Sequence, residues 1–504
     1  MSVTKISEKF TDKKNKFNTL IGNPTLFNCN DFNIIKLFQY AIFREHGFNA
    51  RPFWKLPNFL INFIFFIKRL KLKRNYKFDR KILAKKDASI FIGDTDRYTN
   101  PYNVKFLSKH VTLVSPDIIG KINVLDTIKS KYYENIKNYL KSNNKSFVTF
   151  NTTQLFSPLD YDLNLKDIYP FLSILPLNED DKKFLFHIRK TYKKIISEIS
   201  LSKEKKKILE EIIQIFWQEY RTYRYILDFY SNLKLAFVIP HYQKEGLIYA
   251  LKKRGIKVIE LQHGLIAEED MFYVYNKNII PVKEKALFAD EIWTYGQYWK
   301  SVLLKGNEYS EEQIKVFGYY LYYPKEFSKE FQNFQAQLSQ NYSYIIFATA
   351  QKNLEHHLAE YINFLAKDMK QKNQSAAIVI KPHPSATQDI SNFIDKSFSN
   401  IYIVNYPLEW LFQISNAHFS IYSTTLFDAL MFNIKHNFAL NHPLFSDYVE
   451  GITQKGVAKK LELNENILDK INNTTSKDDN HNLDPSYFYA PVNYELLKNE
   501  INSL

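Results

Sequence analysis

Two stretches of this chain alternate between short apolar runs and amphipathic helical text. In the first, ASIFIGD (88–94), HVTLVSPD (110–117) and SFVTFN (146–151) read as short buried strands, each closed by polar or turn residues. The segment 178–231 has no proline or glycine and a helical apolar spacing, which predicts two long helices breaking near SLSKEKK (200–206). A compact βαβ unit follows: LKLAFVIPHY (233–242) as strand, QKEGLIYALKKRG as helix closed by Gly255, and IKVIELQHG (256–264) as the next strand. ADEIWTYGQYWKSVLLKG (289–306) adds a strand and a helix, and IKVFGYY (314–320) one more strand.

The second stretch repeats the alternation with YSYIIFATA (342–350), SAAIVIKPHP (375–384), NIYIVN (400–405), NAHFSIYS (416–423) and KHNFAL (435–440). The predicted class is therefore α/β, with two Rossmann-like doubly wound domains facing across a cleft and an N-terminal helical extension. The expected boundaries are an extension at 1–86, a first domain at 87–320 carrying the helical insertion 178–231, a linker at 321–341, and a second domain at 342–460. The Asn-, Asp- and Lys-rich tail 461–504 is expected to be loose until a final helix, YELLKNEINSL.

Composition narrows the class. With 504 residues, 45% apolar and 24% charged, the chain is ordered and too long for one ordinary core. Its one cysteine, Cys29, excludes an intramolecular disulfide framework and a cysteine-based zinc cluster, and points to a reducing cytoplasm. The net charge of +15 is concentrated in KRLKLKRNYKFDRKILAKK (68–86), where Asp79 is the only acid. FWKLPNFLINFIFFI (53–67) precedes it, broken by Asn62 and short of the roughly 20 apolar residues a bilayer span needs. Two readings stay open: a segment resting on an anionic membrane surface, or a core helix followed by a solvated basic one. The polar N-terminus has no signal-peptide pattern, so the expected location is cytoplasmic, peripheral on the inner face of the plasma membrane under the first reading. Zinc-finger spacing, an RNA-recognition octamer and a basic region with heptads are all missing, which argues against nucleic acid as a partner.

Three strand ends carry chemistry. In VIKPHPSAT (379–387), two prolines stiffen the backbone around His383, just past Lys381, where an imidazole can donate to a phosphate or move a proton. In SIYSTTLFDALMFN (420–433), Ser423, Thr424 and Thr425 sit where a strand gives way to a helix, as plain caps or as a phosphate cradle. Asp428, one turn on, is placed either for a ribose diol or as a solvated acid. In KVIELQHGLIAEED (257–270), His263 ends a strand, and Glu268, Glu269 and Asp270 follow. Either the histidine or one of these acids could deprotonate an acceptor hydroxyl; a turn histidine fits the same letters.

These blocks in this order resemble the GT-B glycosyltransferases of bacterial capsule and lipopolysaccharide biosynthesis. The similarity runs over about 233–440: PHYQKEGLIYALKKRGIKVIELQHGLI looks like a block recurring in those proteins. The Lys-Pro-His-Pro and SIYSTTLFDAL blocks resemble elements of polysialyltransferases and teichoic-acid glycerophosphate polymerases. The resemblance implies a nucleotide-sugar donor held by Lys381, His383, Ser423, Thr424, Thr425 and Asp428. It implies a catalytic set of His263, Glu268 and Glu269, and a glycan or lipid-linked glycan acceptor. Asp428 stands where such enzymes often carry a longer ribose-binding Glu, Asn433 where many carry Gly, and EED lacks the glycine of the polysialyltransferase triplet. The Asp-x-Asp letters of GDTD (93–96) fall in the first domain, away from a donor loop, so metal-independent transfer without a cofactor is expected. Sugar-nucleotide 2-epimerases share the architecture, but the cleft motifs hold no arginine. A CDP-alcohol-dependent phosphotransferase of teichoic-acid type and a non-catalytic assembly partner with the same fold are also compatible with these blocks.

Overall fold

The computed structural model describes residues 17, 19, 21, 24–30, 32–44, 50–75, 88–94, 133–151, 162–242, 244–268, 270, 272–274, 286–306, 309–319, 326–351, 353–383, 386, 388–473 and 483–504. They fall into two compact units: one from Glu8–Asp96, Ser130–Tyr320 and Val492–Leu504, the other from Leu321–Pro491. The expected strand at 110–117 and the basic run beyond residue 75 lie outside the described residues.

The first unit opens with a small antiparallel hairpin, β1 (Asn28–Cys29) and β2 (Phe32–Asn33), then helices α1 (Ile35–Phe43) and α2 (Asn58–Asn75). Its main sheet contains β3 (Ile90–Asp94), β4 (Phe147–Asn151), β5 (Leu163–Asn164), β6 (Leu235–Val238), β7 (Lys257–Leu261), β8 (Glu291–Thr294) and β9 (Ile314–Val316). The strands are parallel, in the order β5-β4-β3-β6-β7-β8-β9. Every residue of β6 and β8 is buried, as a parallel sheet covered on both faces requires. The two long helices are α3 (Glu179–Glu198) and α4 (Lys203–Leu227). Asn178 and Asp181 form a capping box at the start of α3, and Asp181 also meets Arg221 of α4 at 3.1 Å inside the unit. Helix α5 (Glu245–Lys252) lies so close to α4 that a Cβ at Gly246 would stand 2.4 Å from the Glu219 Cβ and 2.8 Å from the Tyr220 nitrogen. Gly255, at φ +69°, ends the turn after α5.

The second unit begins with α6 (Lys329–Asn341), capped by Ser328, whose hydroxyl accepts from the Phe331 N–H at 3.2 Å. Phe331 and Leu338 of this helix are fully buried, so much of the expected linker 321–341 is built into the core of this unit. The helical period of its apolar residues, not its polar average, decided that. The sheet comprises β10 (Tyr344–Thr349), β11 (Ala376–Lys381), β12 (Ile401–Ile403), β13 (Ala417–Ser420), β14 (His436–Leu440) and β15 (Lys459–Leu461), parallel in the order β12-β11-β10-β13-β14-β15. Ile346, Ala348, Ile378 and Ile380 point to one face, under α7 (Glu355–Gln371). Ile345, Phe347, Ala377 and Val379 point to the other, with α6. Helix α8 (Thr425–Met431) follows β13.

The last helix, α9 (Tyr494–Asn502), belongs to the first unit. The Asn493 N–H donates to the Phe317 carbonyl at 2.7 Å, and Glu500 pairs with Lys257 at 2.6 Å. The chain is thus α/β with two doubly wound parallel domains, the make-up of a GT-B type fold.

Candidate active site

In each sheet the strand order reverses once, between β3 and β6 and between β10 and β13. Open α/β sheets bind ligands beyond the carboxyl ends of the strands at such a point, because the loops there diverge and leave a crevice. The sequence-singled residues fall at these ends. His263 follows β7; Lys381 ends β11; and Ser423, Thr424 and Thr425 lie between β13 and the body of α8.

In the first unit, a run of polar side chains leaves β6 and β7. His241 and Glu260 are both fully buried and paired, Nδ1 to Oε2. The second His241 nitrogen donates to the Phe272 carbonyl at 3.1 Å, since a carbonyl can only accept. The Tyr273 hydroxyl donates to Glu260 Oε1 at 2.5 Å and lies 3.2 Å from His263 Nδ1. The Tyr242 hydroxyl lies 2.9 Å from His263 Nε2. With the Tyr273 proton directed at the carboxylate, its oxygen is left to accept, so Nδ1 carries the His263 proton. Nε2 then holds the lone pair, facing the Tyr242 O–H.

Electrostatics fit that assignment. Burial pushes the His263 pKa down to about 4; Glu260 opposes the shift and His241 adds to it. Burial would raise Glu260, but His241 above all, then His263 and the Tyr273 hydroxyl, hold its carboxyl below the usual range. Burial, with Glu260 beside it, raises Tyr273 well above an ordinary phenol, so it keeps the proton it donates. Gln262 braces the turn: its amide nitrogen donates to the Gly264 carbonyl at 2.8 Å, and its oxygen accepts from the Tyr295 N–H at 2.8 Å. Glu268 is ion-paired with Lys305, and Glu269 lies outside the described residues. Sequence reasoning passed over His241, Tyr242, Glu260 and Tyr273. A carboxylate inside the run Val258-Ile259-Glu260-Leu261 was the signal for a buried partner.

In the second unit, Lys381 and Thr349 are register partners at the ends of β11 and β10. The Lys381 ammonium donates to the Tyr406 carbonyl at 2.6 Å, and burial lowers its pKa to about 8 against the pull of Glu409. The Thr349 hydroxyl meets Thr425 Oγ1 at 2.7 Å and His418 Nε2 at 3.1 Å. Ser423 Oγ accepts from the Thr425 N–H at 3.2 Å. Beneath them, His418 is fully buried against Asn437 at 2.8 Å, and burial pushes its pKa down to about 4 while Asn437 opposes. His383 sits two residues past Lys381, half-buried, with its carbonyl accepting from the Ala386 N–H at 2.9 Å. Asp428 is turned inward: it is 6% exposed and accepts from the Tyr489 hydroxyl at 2.7 Å, an arrangement unlike the ribose contact expected of it. Elsewhere on this unit, His356, His357 and Glu360 at the start of α7 bring ligand-type atoms within 4.8 Å of one another.

No family model matches the chain, and no curated protein matches it in sequence. Solved structures are similar in fold. A putative UDP-N-acetylglucosamine 2-epimerase from Listeria monocytogenes aligns over 83% of this chain and 98% of its own at 11% identity, with a TM-score of 0.47. MnaA of S. aureus, solved with UDP, covers the same shares at 11% identity and a TM-score of 0.45. A trehalose 6-phosphate synthase from Burkholderia multivorans aligns over 83% of this chain and 99% of its own at 9% identity, with a TM-score of 0.42.

Proposed function

We propose that the protein is a glycosyltransferase that moves a sugar from a nucleotide-sugar donor to a bacterial surface-glycan acceptor of capsule or lipopolysaccharide type, without a metal. The observation that carries this reading is the convergence of Lys381, Thr349, Ser423 and Thr425 at the carboxyl ends of adjacent strands beside the reversal of strand order. Hydroxyls, backbone N–H groups and one cation in that place suit a diphosphate. Lys381, His383, Ser423, Thr424 and Thr425 are the proposed donor contacts, and Asp428 the proposed support for the loop through Tyr489. The surface-glycan acceptor is supported by the resemblance of the Gln-His-Gly and Lys-Pro-His-Pro blocks alone.

The proposed proton path uses the first unit. As the acceptor oxygen bonds to the anomeric carbon, its proton passes to the Tyr242 oxygen, and the Tyr242 proton passes to His263 Nε2. The bond from the anomeric carbon to the diphosphate breaks, and the nucleotide leaves with the electron pair. The imidazolium so formed points its Nδ1–H at Tyr273, whose own proton is held by Glu260. Glu268 is the second candidate base, although its pairing with Lys305 weakens it as one.

The test is thermal-shift binding of UDP, CDP, CMP and GDP, repeated with His383→Ala and Lys381→Ala. A ligand that binds only the folded state raises apparent stability by mass action. A selective shift lost in both variants supports the donor site and names its base. No shift with any nucleotide overturns the reading in favour of a non-catalytic partner. With the donor class in hand, product analysis separates glycosyl transfer from 2-epimerisation and from release of CMP by a CDP-alcohol transferase.

A further inference from the structure

Helix α2 reads NFLINFIFFIKRLKLKRN, without one acid. Its inner side is anchored: Ile61 and Phe65 are fully buried, and Phe65 stacks against Trp217 of α4 at a centroid distance of 6.1 Å. Asn62, which interrupts the apolar run, accepts from the Leu177 N–H at 2.9 Å. The preceding Trp54 is buried too, and its indole N–H donates to the Glu210 carbonyl at 2.9 Å. This side accounts for why the helix folds onto the unit.

The other side has no such role. Phe59, Leu60, Phe63, Phe66, Ile67 and Leu70 are all exposed, Phe59 by 70% and Phe63 by 60%. Their spacing of i, i+1, i+4, i+7, i+8 and i+11 puts them on one continuous face at 3.6 residues per turn. A helix that is apolar all round is normally enclosed, and a continuous exposed apolar face of this kind marks an interaction site. A cation borders it: Lys71 is exposed one position beyond Leu70, while Lys68 lies on the anchored side with Ile61 and Phe65, over the Phe53 ring at 4.4 Å. Among the described residues no helix is long and apolar enough to cross a membrane.

The geometry points to the outer face of α2 as a docking surface for an anionic lipid bilayer, with Phe59, Phe63 and Phe66 entering the acyl boundary and Lys71 meeting the headgroups. The bilayer is favoured over a protein partner by the charge pattern. Every charged residue of the helix that carries the stripe is a cation, which matches an apolar layer under a negative surface, and the chain carries +15 overall. The core reading of 53–67 holds for Trp54, just before the helix, and for Ile61 and Phe65 on its inner side, while the stripe on the other side is exposed. Lipid docking is independent of the transfer reading, because binding to vesicles is measured without turnover.

The experiment is flotation of the full chain with vesicles of phosphatidylcholine alone or mixed with phosphatidylglycerol, at low and high salt. It is repeated with Phe59→Ser/Phe63→Ser/Phe66→Ser and with Lys71→Glu. The expected result is binding to the anionic vesicles, weaker at high salt, reduced about tenfold or more in the triple variant and partly in Lys71→Glu. Thermal melts of both variants should match the parent, because every altered side chain is exposed. Lipid docking is overturned if the parent does not float with anionic vesicles, or if the triple variant floats equally well. It is overturned equally if sedimentation finds a parent that pairs with a second copy, a triple variant that does not, and vesicle binding in neither.

Discussion

His263 owes its chemistry to neighbours that lie 3 to 22 positions before it and 10 after it in the chain. Burial keeps the ring neutral down to about pH 4, so a base role needs no deprotonation step in the physiological range. Turnover should therefore show no acid limb near pH 6.5, and should fail only as pH drops toward 4 and Nε2 is protonated. A pH profile of kcat/KM from 5 to 8 checks this, and a titration near 6.5 would count against His263 as base. Tyr242→Phe removes the hydroxyl on Nε2 and should cost about 100-fold or more in kcat, with KM little changed. If Tyr242→Phe turns over normally while His263→Ala does not, the acceptor meets the imidazole directly. Lys381 titrates at the other end of the scale. Its pKa of about 8 means the ammonium is present below that pH and lost above it, so nucleotide affinity should fall as pH rises through 8. Calorimetric titrations of the parent at pH 7 and 9 decide it, and an affinity equal at the two would count against a Lys381 contact.

At the scale of elements, α4 and α5 meet where only a glycine fits. A methyl at Gly246 would overlap Glu219 and the backbone of α4, so Gly246→Ala should lower stability by about 1–3 kcal/mol or more. Urea melts of the variant against the parent measure it, and an unchanged midpoint would mean the helices separate without cost. The glycine was visible in QKEGLIYALKKRG, but one letter inside a helical pattern does not say which surface it faces. Strands of four to six residues, such as β6, β7, β10 and β11, were legible because β-branched and other apolar residues run between turn formers. The two-residue strands β1, β2 and β5 were not, since no period can register over two positions.

Across the whole molecule, buried neutral histidines set the response to acid. His418 binds a proton near pH 6.5 when unfolded and near 4 when folded, so the unfolded state takes up protons first as pH falls. The stability it contributes is complete above pH 6.5 and is lost progressively below it, by roughly 3 kcal/mol at pH 4. His263 acts in the same direction. Denaturant midpoints measured from pH 7 to 4.5 should fall steadily, and a His418→Gln variant should fall less. A flat profile would mean the two buried rings are solvated after all. The C-terminal helix adds a second whole-molecule feature, because Lys257 at the start of β7 is paired with Glu500 of α9. Loss of that helix should therefore be felt in the first sheet.

The fold class and the place of the singled-out residues at strand ends were in the sequence because both are local. Apolar runs spaced by amphipathic helices make a parallel sheet, and in a parallel sheet each strand's carboxyl end lies on one edge, so His263, Lys381 and Ser423 had to emerge there. What only the tertiary structure decided was partnership. That Tyr242 caps His263, that Asp428 turns to Tyr489, and that one side of α2 is core while the other is bare depend on which elements come to lie together. Those contacts join residues far apart in the chain, 61 positions for Asp428 and Tyr489 and 115 for Asn62 and Leu177, and no local period or propensity encodes them.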